Sequence, residues 1–79
     1  MVQIVNMSRD PRVVLPKTVP LSASMQAEAF FRMLCQEHGG NCDVLLNELI
    51  VLLDGERYAA DRMVTADSRI YVLPVATAG

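Results

Sequence analysis

Leu49-Ile50-Val51-Leu52-Leu53-Asp54-Gly55 is the stretch that decides how this chain folds. Leu49 to Leu53 is apolar on both faces of an extended backbone, and it runs straight into Asp54-Gly55. That pair tolerates the positive φ values of a tight hairpin, so a strand ending in a turn is predicted here. Downstream, Arg57 to Ala60 reads as a short return strand and Asp61 to Ser68 as a loop. Arg69-Ile70-Tyr71-Val72-Leu73-Pro74 leads the last long strand, expected over Ile70 to Val75.

Working upstream, Gly39-Gly40-Asn41 ends a helix, because glycine takes the left-handed cap conformation at little steric cost. Met25, Ala29 and Met33 repeat at helical spacing, with Ala27, Phe30 and Leu34 beside them. Gln26, Glu28, Arg32 and Gln36 supply the polar positions, so the helix is amphipathic with its apolar stripe on the core. Ser22 or Ser24 offers its N-cap oxygen. Cys42 to Asn47 is ambiguous and fits one short helical turn.

The first residues complete the pattern. Val2 to Met7 reads as a strand and Ser8-Arg9-Asp10-Pro11 as a turn, with Val13 to Val19 returning antiparallel. Pro16 donates no ladder hydrogen bond, so this returning strand is expected at an edge or to be irregular. The sum is an α+β chain of order ββαββ, a mixed sheet packed on one main helix. A β-grasp (ubiquitin-like) sheet fits that order better than a repeated βαβ fold, which needs more helices.

Alternation in the strands carries a further expectation. Ile70 and Val72 share one face of the last strand, and Tyr71, Leu73 and Val75 share the other. Ile50 and Leu52 likewise oppose Leu49, Val51 and Leu53. One helix covers one face of a sheet, so the second apolar set is expected as a partly exposed patch of the kind that marks a partner surface. Loops or a second copy of the chain would be the alternative cover.

Composition excludes several classes. The chain has 79 residues, about half of them hydrophobic, with a formal net charge of −2. That suits one small domain, residues 1–75, followed by a flexible tail, 76–79. With no basic run and no aromatic-plus-basic stripe, nucleic-acid binding is not expected. Arg9, Asp10, Arg12 and Lys17 break any early apolar segment, and no apolar run approaches the roughly 20 residues of a membrane span. A soluble, cytoplasmic protein without a membrane partner is expected. Two cysteines, Cys35 and Cys42, are too few for a disulfide framework, and in that compartment free thiols are the expectation. Cys35 falls on the apolar side of the helix, as a buried small hydrophobe. His38, the sole histidine, sits at the helix end facing the last carbonyls, with no second histidine to build a metal site. The nine acidic residues are scattered, without a paired-carboxylate or Ser-His-Asp arrangement, and no glycine-rich phosphate loop is present. No catalytic residue, bound cofactor or metal is expected.

Chemistry is left to the end of the chain, Leu73-Pro74-Val75-Ala76-Thr77-Ala78-Gly79. The five residues after Pro74 reach at most ~18 Å when extended. Thr77, Ala78 and Gly79 are narrow, and a terminal glycine has no Cβ to shield its carboxylate. The order strand, Asp54-Gly55 turn, loop, strand with Leu73-Pro74 and small tail resembles the second half of the ubiquitin-like sulfur carriers (MoaD/ThiS-like), the small subunit of molybdopterin synthase and the thiamine sulfur carrier. The resemblance covers roughly the last thirty residues, and the first half only in element order. Those carriers end in Gly-Gly where this chain has Ala78-Gly79, and often place Gly-Asp where it has Asp67-Ser68.

The resemblance implies a carrier protein rather than an enzyme. Gly79 would be the site adenylated by an ATP-consuming activating enzyme and then converted to a thiocarboxylate. A sulfur-accepting enzyme of cofactor or metabolite biosynthesis, such as that of molybdopterin or thiamine, would take the sulfur. Thr77 and Ala78 would thread into the partner, and Tyr71, Leu73, Pro74 and Val75 would form the docking surface. The competing readings are a ubiquitin-like binding module or accessory subunit of a larger enzyme, and a modifier conjugated to other proteins. The tail discriminates: loss of Gly79 abolishes a carrier and leaves a module untouched.

Overall fold

In the computed structural model, which describes residues 1–75, Val2–Asn6 forms β1 and Thr18–Val19 forms β2. Met25–Gln26 (β3) runs directly into the main helix α1, Ala27–His38, and a single π-helical turn follows at Val44–Glu48. Ile50–Leu53 (β4), Glu56–Arg57 (β5), Met63–Val64 (β6) and Arg69–Leu73 (β7) complete the chain. Five strands build one mixed sheet in the order β2-β1-β7-β4-β5, with β1 and β7 parallel and the other neighbours antiparallel. With α1 packed against it, this is a small α+β fold consistent with a β-grasp. Among the described residues no helix is long and apolar enough to cross a membrane.

The last strand occupies the centre. Ile70 and Val72 of β7 are fully buried, as are Val2 of β1 and Leu53 of β4, to within a few per cent. These side chains, with Ile4 and Val51, meet Ala27, Phe30, Phe31, Leu34 and Cys35 from α1. Phe30 and Phe31 meet edge to face at 5.5 Å, and Phe31 meets Tyr58 in the same way at 5.7 Å, a geometry aromatic rings favour.

The β4–β5 hairpin takes the form expected from Asp54-Gly55. Both residues have positive φ, 52° and 84°, as a two-residue type I′ turn requires. Asp54 also fastens the turn to β7. Its Oδ1 accepts from the Arg69 N–H at 2.9 Å, and its Oδ2 accepts from the Ser68 hydroxyl at 3.0 Å. Ser68 is 1% exposed, and its Oγ accepts in turn from the Thr65 N–H at 2.9 Å. A buried hydroxyl is tolerable because its hydrogen-bonding capacity is met in this way.

Several local expectations change. Neither Ser22 nor Ser24 caps α1; the N-cap position is Gln26, with no side-chain cap bond. The leading N–H groups are met instead by the loop before β6: Ala27 N–H donates to the Arg62 carbonyl at 2.7 Å and Glu28 N–H to that of Ala60 at 3.1 Å. Pairing of Met25–Gln26 with Val64 and Met63 brings that loop into place, so tertiary carbonyls substitute for a serine cap. The buried stripe of α1 also lies one step round from the Met25-Ala29-Met33 row: Ala29 is exposed, while Phe31 and Cys35 are buried. At the other end Gly39 is the left-handed cap (φ 76°), and its N–H donates to the Cys35 carbonyl at 2.9 Å. His38 lies exposed in the last turn.

Of the segment 13–19, Thr18–Val19 alone pairs as a strand, at the sheet edge, as a proline at position 16 favours. The return strand sits at Glu56–Arg57 rather than 57–60, and β7 stops at Leu73, before Pro74.

Candidate functional site: the open sheet face and the exit of the chain

Register places a second apolar surface on the side of the sheet away from α1. Tyr71 of β7 lies between Val5 of β1 and Leu52 of β4, and Leu73 lies beside Ile50. Side chains directly opposite on neighbouring strands share a face, so these five form one patch. Val5 is 42% exposed, and Ile50, Leu52, Tyr71 and Leu73 are half-buried. Their neighbours one position along the strands, Ile4, Val51, Ile70 and Val72, are all buried. The half-exposure follows from the single helix layer, which leaves this side of the strands open.

Two arginines stand at one end of the patch, beside the Asp54 carboxylate. Arg57 pairs in register with Leu52, and Arg69 with Gln3, so both flank the apolar residues on the same face. Neither makes an ion pair among the described residues, whereas Arg62 pairs with Glu56, and Arg32 with Glu28.

The chain leaves the sheet at one end of this patch. Beyond Leu73, Pro74 and Val75 are exposed, Val75 by 51%. The exit lies beside the end of β1, where the Met7 N–H donates to the Val72 carbonyl at 2.7 Å, and Met7 itself is 53% exposed. The adjoining loop is set by short local bonds. Asn6 Oδ1 accepts from both the N–H and the hydroxyl of Ser8, and Asp10 Oδ1 accepts from the Arg12 N–H. The Arg12 guanidinium donates to the Asp10 carboxylate as well and holds it below the usual carboxylate range.

Of the residues singled out in the sequence, Tyr71 and Leu73 thus lie together on the open face, and Pro74 and Val75 lie beyond its edge. Thr77, Ala78 and Gly79 are outside the described residues. Sequence reading missed Val5, Arg57 and Arg69 as members of the same surface. The signal for Val5 was present, since Val2-Gln3-Ile4-Val5 breaks its alternation at Val5, but the parallel pairing with β7 that places it beside Tyr71 is long-range.

Among the described residues no three His, Cys, Asp or Glu side chains gather where they could hold a metal ion. The chain matches no protein-family model and has no significant match among curated proteins.

Proposed function

We propose that the protein is a small sulfur carrier, a co-substrate whose Gly79 carboxylate is the reacting group. The observation that carries this reading is the coupling of surface and exit: β7 supplies the middle of the open apolar patch, and the same strand leads directly to the tail. A partner docked on Val5, Ile50, Leu52, Tyr71 and Leu73 would have its active site within reach of the four residues after Val75, at most ~14 Å of extended chain.

In this scheme the Gly79 carboxylate attacks the α-phosphorus of ATP in the activating enzyme, and pyrophosphate leaves. Hydrosulfide then attacks the acyl carbon of the adenylate, the C–O bond to AMP breaks, and loss of the S–H proton to water leaves a thiocarboxylate. The carboxylate alone is a poor electrophile, so the chemistry belongs to the activating partner and the carrier contributes docking, reach and an unhindered terminus. Thr77 and Ala78 thread the tail, and a second partner accepts the sulfur.

The test is intact mass of the protein isolated from its native cells, full-length against a Gly79-deleted form. Replacement of one oxygen by sulfur, absent from the deletion, is the expected result. A chain that stays unmodified even with ATP, a sulfur donor and its co-purifying adenylating enzyme would leave the open face as a binding module's surface and end the carrier reading.

A further inference from the structure

The helix layer, across the sheet from the open face, holds two thiols that the proposed function does not use. Cys35 lies in the last turn of α1 and is 7% exposed; Cys42 follows the glycine cap, ahead of the π-helical turn, and is half-buried. Both are free, and both line one surface cavity of about 340 Å³ together with Arg32, Gln36 and Gly40. Cys42 also opens onto an adjoining cavity of about 310 Å³ that reaches Tyr58.

The chain reversal between the two cysteines is fixed. Gly39 turns the backbone through its left-handed conformation, and Asn41 N–H donates to the Arg12 carbonyl at 2.9 Å. Gly40 lies so close to the Val14 backbone that a Cβ there would stand 3.1 Å from its nitrogen. These restraints hold the segment that leads into Cys42 against the loop at Arg12 and Val14, and Cys42 lines the same cavity as Cys35. Burial pushes the Cys35 thiol up to about 12, and Cys42 next to it adds to the effect. Cys35 therefore stays protonated at neutral pH, and the more exposed Cys42 is the sulfur that a dissolved oxidant meets first.

We propose that Cys35 and Cys42 are an oxidisable dithiol that forms a reversible intramolecular disulfide by exchange with a low-molecular-weight disulfide of the glutathione class. Cys42 loses its proton to water, and its thiolate attacks one sulfur of the small disulfide, whose S–S bond breaks and releases one small thiol. Cys35 then loses its proton to water and attacks the Cys42 sulfur, and the second small thiol leaves as a thiolate that takes a proton from water. Two protein thiols are oxidised, one small disulfide is reduced to two thiols, and excess small thiol reverses the sequence. Transient, redox-sensing bridges of this kind are the usual form of disulfide in a reducing compartment. The bridge would fasten the end of α1 to the segment that enters β4, leaving the open face untouched.

The experiment incubates the full reduced chain with oxidised glutathione and follows intact mass and a non-reducing peptide map. Wild-type protein is expected to lose two hydrogen masses without retaining an adduct, with residues 35 and 42 in one linked peptide pair, and to recover its mass with dithiothreitol. Cys35→Ser is expected to stop at a glutathione adduct on Cys42. A wild-type chain that keeps both thiols, or that retains a stable adduct on Cys42 with Cys35 free, overturns the proposal. The wild-type chain alone distinguishes these outcomes, whether or not the variant folds as well.

Discussion

The two faces of the sheet are built from the same strands and the same kinds of side chain, yet they differ in what covers them. Ile70 and Val72 point into the helix layer and are fully buried; Tyr71 and Leu73, one residue along, remain half-exposed on the other side. Val51 and Leu53 against Ile50 and Leu52 repeat the contrast on β4. Strand propensity does not distinguish these sets. On the covered face apolar area stabilises the fold, and on the open face part of it stays in contact with water.

The contrast breaks most visibly where a covered side chain is cut away. Phe30→Ala removes a fully buried ring from between helix and sheet, and a loss of about 3–5 kcal/mol is expected, read as a fall in denaturation midpoint or failure to fold. Asp54→Ala comes next. It deprives the buried Ser68 hydroxyl of its acceptor and the Arg69 N–H of its own, at an expected cost of about 1–3 kcal/mol by chemical denaturation. Gly40→Ala tests the loop under the helix end. The new methyl meets Val14 backbone at 3.1–3.2 Å, backbone that the Asn41–Arg12 bond holds in place, and about 1–3 kcal/mol of overpacking is expected. Gly39→Ala beside it meets nothing within 4 Å and suffers from its positive φ alone, about 1 kcal/mol. The smallest effect belongs to the open face: Val5→Ser is expected to move stability by no more than about 0.5 kcal/mol. A large loss there would show that the isolated domain relies on this face for its own core.

How much of this could be seen in the chain itself varies with the range of the interaction. Asp54-Gly55 announced its turn because the positive φ values are a local demand that few residue pairs meet. Gly39 announced the helix end for the same reason. The helix start was hidden, since its N–H groups are satisfied by the carbonyls of Ala60 and Arg62, distant in sequence and brought there by the β3–β6 pair. The shortness of β2 was partly visible in Pro16. On the candidate surface Tyr71 and Leu73 were legible from alternation within one strand, whereas Val5, Arg57 and Arg69 joined them through register, which depends on which strands become neighbours.

The proposed coupling of open face and tail is tested most directly by measuring sulfur loading with the face altered. Leu73→Glu places a charge within the apolar patch at a half-exposed position, and its denaturation midpoint should stay close to that of the wild type. Thiocarboxylate occupancy of both proteins, isolated from the native cells and measured by intact mass, is the measurement. The wild type is predicted to carry sulfur at Gly79, and the folded Leu73→Glu chain to carry almost none. Equal loading of the two would contradict docking through this face, and absence of sulfur from both in the presence of the activating enzyme would contradict the carrier itself.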